Sequence, residues 1–176
     1  MPHTGRLRRQ GQRRPLYDSF MDIKIRSATP KDLETIVRYN LALAQESEGK
    51  KLDQAVLSAG VAALLADPAK GRYFIAEANG AVVGQTMITF EWSDWRNGLF
   101  WWIQSVYVEE SARRLGVFRA LFDHLRSLAD RNPSVCGIRL YVERENARAQ
   151  RTYERCGLKT TGYQVMEVDY SGAVRH

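Results

Sequence analysis

Apolar and polar positions along this chain change period several times, and each change predicts an element. Ile23, Ile25 and Ala28 mark a short strand that Thr29-Pro30 ends. Thr29 suits a helix N-cap and Pro30 the first helical position. Leu33, Ile36, Val37, Leu41 and Ala44 then recur at helical spacing. The polar run Glu46-Ser47-Glu48-Gly49-Lys50-Lys51 breaks that helix, and a second is predicted over 53–66, stopping at Asp67-Pro68. Gly49-Lys50 is not a nucleotide loop, because neither the earlier glycine nor a following Ser or Thr is in place. Two apolar stretches, 73–77 and 82–90, flank Asn79-Gly80, a dipeptide favoured at tight hairpin turns.

The second half continues with a loop predicted over 91–98 and a strand over 99–108. A helix follows with Val117, Phe118, Leu121, Phe122, Leu125 and Leu128 on its apolar face, ending before Asn132-Pro133. His124 falls on the polar side of that helix and is expected at the solvent. Ile138, Leu140 and Val142 alternate as a strand, a short helix over 146–156 ends at Gly157 as C-cap, and residues 159–170 have strand character. The pattern reads as one mixed α/β domain over 21–176, preceded by a basic leader over 1–20.

Composition refines this picture. The chain has 176 residues and a formal net charge of +6, a length that suits one domain with a sizeable core. Arg6, Arg8, Arg9, Arg13 and Arg14 against Asp18 place +4 of that charge in residues 1–20. The leader reads as disordered; nucleic-acid binding through its arginines is the least favoured alternative, and no nucleic-acid partner is expected. No apolar run approaches the roughly 18 residues of a membrane span, and the N-terminus lacks the apolar stretch of a secretory signal. A cytoplasmic location without a membrane partner is the expectation. Cys136 and Cys156 form no C-x-x-C pair, and His3, His124 and His176 are scattered, so no metal site is expected. Cys136 reads as a small buried hydrophobe.

Two motifs carry chemistry. Val106, Tyr107 and Val108 close an apolar strand, and Arg113-Arg114-Leu115-Gly116-Val117-Phe118 follows as a basic glycine loop opening a helix. That order presents backbone N–H groups and a helix N-terminus to an anion. Gly116 allows close backbone approach, and Arg113 and Arg114 can add charge-assisted hydrogen bonds. Further on, Asn146, Ala149 and Tyr153 fall at i, i+3 and i+7, on one face of a short helix. Taken singly, a solvated arginine pair and a core tyrosine are the ordinary alternatives.

In this order and separation the two motifs resemble the GNAT superfamily of acyl-CoA-dependent N-acetyltransferases, over residues 22–170. The family's loop signature is a basic or amide residue, two variable residues, glycine, one variable residue, then glycine or alanine. Arg113 to Gly116 match it and Phe118 departs at the last position. Asn146 to Leu158 looks like the family's second signature. The resemblance implies a mostly antiparallel sheet with one splayed parallel strand pair, flanked by helices. It implies acetyl-CoA as co-substrate and no metal. The pantetheine arm is expected against the backbone of Val106, Tyr107 and Val108. The pyrophosphate is expected on Arg113, Arg114, Leu115, Gly116, Val117, Phe118 and Arg119. Asn146 and Ala149 are expected beside the arm, and Tyr153 there and as acid for the departing thiolate.

The implied reaction is transfer of an acetyl group to a primary amine of a small molecule, by direct attack in a ternary complex. The amine must be neutral, and an alkylamine holds its proton up to about pH 10.4, so a base or water chain is required. The strand over 101–106 carries no carboxylate, and Gln104 can hold water but cannot accept a proton at neutral pH. Glu91, or water through Gln104, is the expected base, with Asp94, Glu46 and Glu48 as the other acceptor-side carboxylates. Trp92 and Trp95, with the acceptor-side carboxylates, would wall a small cationic amine or polyamine, or with Trp101 and Trp102 form a homodimer surface. The missing strand carboxylate also fits a non-catalytic acyl-CoA-binding or regulatory module.

Overall fold

The computed structural model describes residues 22–170. The leader with its arginines, and therefore the expectations placed on residues 1–20, lie outside the described residues. β1 (Ile23–Ser27) leads through a 3-10 turn to α1 (Leu33–Glu48) and α2 (Gln54–Ala66). β2 (Arg72–Ala78), β3 (Ala81–Ser93) and β4 (Gly98–Val108) follow as a meander, then α3 (Val117–Asp130), β5 (Val135–Leu140) and α4 (Ala147–Arg155). The sheet order is β1-β2-β3-β4-β5, antiparallel up to β4, with β5 parallel to β4. This is the mixed α/β architecture with one parallel pair that the pattern and the resemblance imply.

Local chemistry explains the joints. Asn79 and Gly80 hold φ 52° and 78°, the two positive values that a type I′ hairpin turn requires. The Asp53 carboxylate accepts from the N–H groups of Ala55 and Val56 at 2.8 and 3.0 Å, capping α2. α3 covers one sheet face through Val117, Leu121, Phe122 and Leu125, which pack with Phe74, Ile88, Trp101 and Ile103. Burying each such side chain is worth about 1.5–3 kcal/mol. α1 and α2 cover the opposite face, where Ile36, Val37 and Val61 meet Tyr73 and Ile75. No helix among the described residues is long and apolar enough to cross a membrane.

Several expectations are corrected. β3 continues to Ser93 through residues that read as loop, because Glu91, Trp92 and Ser93 pair with Phe100, Leu99 and Gly98. β5 begins three residues and ends two residues earlier than the alternation of Ile138, Leu140 and Val142 indicates, so Tyr141 and Val142 leave the ladder. Residues 159–170 contain no strand: no ladder partner takes up their backbone, and Tyr163 and Met166 are 80% and 94% exposed. His124 is half-buried rather than solvated, edge-on to Phe74 at 5.5 Å between ring centroids. That burial pushes its pKa down. Cys136 is half-buried, and Cys156 is the fully buried cysteine.

β1 is fastened to α1 by charge. Asp32 is 7% exposed and accepts from both Arg26 Nη atoms at 2.8 Å and from Thr29 N–H at 2.7 Å. Hydrogen bonding from Arg26 holds its carboxyl down at about 2, against an ordinary value near 3.9. A depressed carboxylate adds stability that is present above its unfolded pKa and lost as pH falls through its folded one. Asp32→Asn should therefore cost about 2 kcal/mol at pH 7. In urea melts, the gap from wild type should narrow below about pH 4 and close near pH 2.

Candidate active site

The site begins at a break in β4. Gln85 pairs with Tyr107 and Met87 with Gln104, so Ser105 and Val106 together oppose Thr86. This is a β-bulge, and Ser105 sits in it at φ 50°, a conformation costly for a residue with a Cβ. Because one extra residue reverses alternation, Gln104 and Tyr107 share the α1 face. Ile103, Val106 and Val108 pack with the α3 cluster. The bulge is braced from β3: Gln85 Nε2 reaches Ser105 O at 3.4 Å and Thr86 Oγ1 reaches Gln104 O at 3.3 Å. Gln85 also donates to Asn40 Oδ1 at 2.8 Å, and Asn40 Nδ2 donates to Tyr73 Oη at 2.9 Å.

Beyond the bulge the parallel strands part. The β4–β5 ladder ends at Ile103 opposite Leu140, while β4 runs on to Val108. The backbone of residues 104–108 thus faces an open cleft on the β5 side. Val106 lines that cleft. Tyr107 contributes backbone only, since its ring stacks on Tyr39 at 4.7 Å and its hydroxyl donates to Glu46.

Next to the open end of β4 stands the basic glycine loop. Arg114 and Gly116 both take positive φ, 69° and 86°, and no atom lies within 4 Å of a Cβ built on Gly116. Alternation of extended and left-handed residues turns successive N–H groups toward one concavity. The first bond of α3 runs from Ala120 N–H to Gly116 O at 2.9 Å, so the N–H groups of Val117, Phe118 and Arg119 face out of the helix end. The arginines divide their duties. Arg113 donates to Glu46 at 2.6 Å and to Val108 O at 3.0 Å, tying the loop to α1. Arg119 donates to Asp123 at 2.7 Å and to Arg155 O at 3.3 Å, tying α3 to α4. Among the described residues the Arg114 side chain has no hydrogen bond or ion pair, which leaves its charge for an anion. Leu115 is exposed beside it.

The second motif faces this loop. Asn146 caps α4 by accepting from Ala149 N–H at 3.0 Å. Asn146, Ala149 and Tyr153 all line the cleft. Phe118, the residue that departs from the loop signature, packs edge-on against the Tyr153 ring at 5.2 Å and 61°. Burial pushes the Tyr153 hydroxyl's pKa up, so it keeps its proton at neutral pH.

Across the sheet the cleft widens into a cavity of about 690 Å³ that also reaches Asn40, Tyr73, Gln104, Ser105 and the inner faces of α1 and α2. Gln104 Nε2 donates to Thr89 Oγ1 at 2.6 Å, leaving its carbonyl oxygen to present. Glu91 does not line this cavity; its carboxylate is held by Arg139 at 3.1 Å and accepts from Trp102 Nε1. Nor do Trp92 and Trp95, which are 59% and 90% exposed. Glu46 is paired with Arg113, Asp94 accepts from Trp95 N–H, and Glu48 lines the cavity paired with Lys50 at 2.5 Å. Asn40, Tyr73 and Gln85 escaped sequence reading, although a glutamine inside an apolar strand was a usable sign. Among the described residues no three His, Cys, Asp or Glu side chains gather to hold a metal.

Comparison with known proteins agrees with this geometry. Residues 35–158 match the family model described as acetyltransferase (GNAT) family. A crystal structure of a possible acetyltransferase from Clostridium difficile 630 is 47% identical, with TM-score 0.79 over 88% of this chain and 99% of that one. A predicted acetyltransferase from Clostridium acetobutylicum, solved with acetyl-CoA, has 19% identity and TM-score 0.68 over 84% of this chain and 96% of that one. A ribosomal-protein-alanine N-acetyltransferase from Brucella melitensis biovar Abortus 2308 has 17% identity and TM-score 0.67, over 85% and 99%. These last two show the shared fold. No curated protein sequence is significantly similar to the chain. A splayed parallel pair, a basic glycine loop following its longer strand and the family match over most of the domain lead to one conclusion: the chain belongs to the GNAT acetyltransferase family.

Proposed function

We propose that this protein transfers an acetyl group from acetyl-CoA to a primary amine of a small molecule, by direct attack with both substrates bound. The observation that carries this reading is the single cavity shared by Tyr153, Asn146 and Ala149 on one side and by Asn40, Gln104 and Ser105 on the other. Its volume of about 690 Å³ lies in the range of small-molecule sites. The residues present fit acetyl-CoA: backbone of residues 104–108 that β5 does not use, paired positive-φ residues at the loop, and the uncommitted charge of Arg114. When bound, acetyl-CoA supplies an acetyl group activated as a thioester.

The chain's own groups do the rest. Loop N–H groups and the α3 N-terminus hold phosphate oxygens. A backbone N–H near Val108 donates to the acyl oxygen as negative charge gathers there. Gln104 Oε1 accepts from the amine or from a water that carries its proton away, a role for which a neutral amide needs no change of ionisation. Tyr153 Oη, kept protonated by burial, donates to the leaving sulfur. A non-catalytic acyl-CoA-binding module is the competing reading, favoured by the commitment of Glu91 to Arg139 and Trp102. Thiol release from acetyl-CoA with a panel of primary amines separates the two. Tight CoA binding with no release for any amine would sink the transferase reading.

Three outcomes test the assignment of roles. Tyr153→Phe keeps the ring against Phe118 and should lower kcat about 10²-fold, with acetyl-CoA affinity by calorimetry unchanged within about twofold. Because the Tyr153 pKa is raised from its ordinary value near 10, kcat/KM should rise with the neutral fraction of amine up to pH 9. No falling limb should appear below that pH. Arg114→Ala should raise the KM for acetyl-CoA about fivefold, in line with the loss of ~1 kcal/mol of anion contact. Arg119→Ala should leave it unchanged within about twofold.

A further inference from the structure

The wall of the cavity farthest from Tyr153 is apolar. Leu43 of α1, Leu52 of the connecting loop, and Leu57, Val61 and Leu64 of α2 line it. α2 runs Gln54–Ala66 without a charged residue, so this helix brings neither an anion nor a cation to the cavity. The charged lining residues are answered elsewhere: Glu48 and Lys50 bind each other at 2.5 Å with their side chains about half or more exposed, and Glu143 accepts from Glu145 N–H at 2.7 Å. Polar atoms collect at the other end, on the sheet. Tyr73, Met87 and Gln104 lie in one cross-strand row, with Asn40 donating to Tyr73 Oη beside it.

This division of the cavity has a chemical reading. The amine nitrogen belongs at the sheet end near Gln104, where hydrogen-bonding groups and the cleft meet. The rest of the acceptor extends toward α2, where Leu52, Leu57, Val61 and Leu64 supply carbon and the charged groups at the rim, Glu48 and Lys50, are paired with each other. A second ammonium there would leave water for a wall whose one nearby carboxylate, Glu48, is already paired with Lys50, an unfavourable transfer, whereas an alkyl or aryl group would gain by burial. We infer that the acceptor is a monoamine whose substituent is apolar, an aliphatic or arylalkyl chain, and not a polyamine. The inference rests on the acetyl-transfer reading for which end of the cavity the nitrogen takes. The tryptophan-rich hairpin, with its exposed Trp92 and Trp95, has no part in it.

Heptylamine and 1,6-diaminohexane test this directly, since they are nearly isosteric and differ by a terminal methyl in place of a second ammonium. Each is titrated calorimetrically into the full chain saturated with CoA, and each is offered with acetyl-CoA in a thiol-release assay. Heptylamine should bind at least tenfold tighter than the diamine and show at least tenfold higher kcat/KM. Leu57→Asp, on the half-buried first turn of α2, should cut that preference at least fivefold. Acetyl-CoA binding in that variant reports that it remains folded. Equal or tighter binding of 1,6-diaminohexane, or no binding of either amine, overturns the inference. Preferential binding of heptylamine without thiol release upholds the apolar pocket and overturns the transfer reading instead.

Discussion

One extra residue in β4 is the constraint on which the rest of the site depends. A regular strand would keep its ladder with β5 and put Gln104 and Tyr107 on opposite faces. With Ser105 at φ 50° the ladder ends, the parallel strands part, and both residues face α1. The conformation is unfavourable by itself and is held by neighbours. Gln85 and Thr86 reach across to the carbonyls of Ser105 and Gln104, and Asn40 links Gln85 to Tyr73. α1 is therefore part of the bulge's support as well as a cover for the sheet. Arg38 to Glu109 at 2.8 Å and Arg113 to Glu46 at 2.6 Å fasten the same helix to the end of the strand.

The two halves of the cleft are joined by an aromatic contact beside the Arg119 tie to the Arg155 carbonyl. Phe118 belongs to the first turn of α3, whose N-terminus faces the anion loop, and Tyr153 belongs to α4. Their edge-on packing sets the tyrosine ring relative to the loop. A small residue at position 118 would leave that ring to be positioned by something else. Of the arginines in and just after the loop, two act as structural ties, and Arg114 alone keeps its side chain uncommitted among the described residues.

Much of this was legible in the sequence. All four α-helices were expected, α1 and α3 from their 3.6-residue pattern, and Asn79-Gly80, Asp53 and Gly157 marked a turn, a cap and a helix end that the backbone adopts. The loop and the Asn146–Tyr153 face emerged from residue type and spacing, and in the structure Phe118 packs on Tyr153 and Arg119 bonds Arg155 O. Period-2 reading could not locate the bulge, because Gln104 to Val108 alternates acceptably in either register and only pairing with β3 decides it. The partners of Glu91 were equally hidden: Arg139 lies on a strand that meets β4 only after the α3 crossover. Residues 159–170 have the composition of a strand, yet composition provides no ladder partner.

The placement of the tryptophans has an optical consequence. All 4 lie between positions 92 and 102, on β3, β4 and the turn joining them. Two are exposed at the hairpin end, Trp101 is in the core, and Trp102 stacks on Tyr141 at 4.3 Å, a ring that lines the cavity. Tryptophan emission from this protein therefore arises wholly from one hairpin. It senses the cavity through Tyr141 and Trp102, while the basic glycine loop and α4 contain no indole of their own. The chain carries a built-in fluorescent probe beside the Tyr141 wall of its cavity and is dark at the loop and α4.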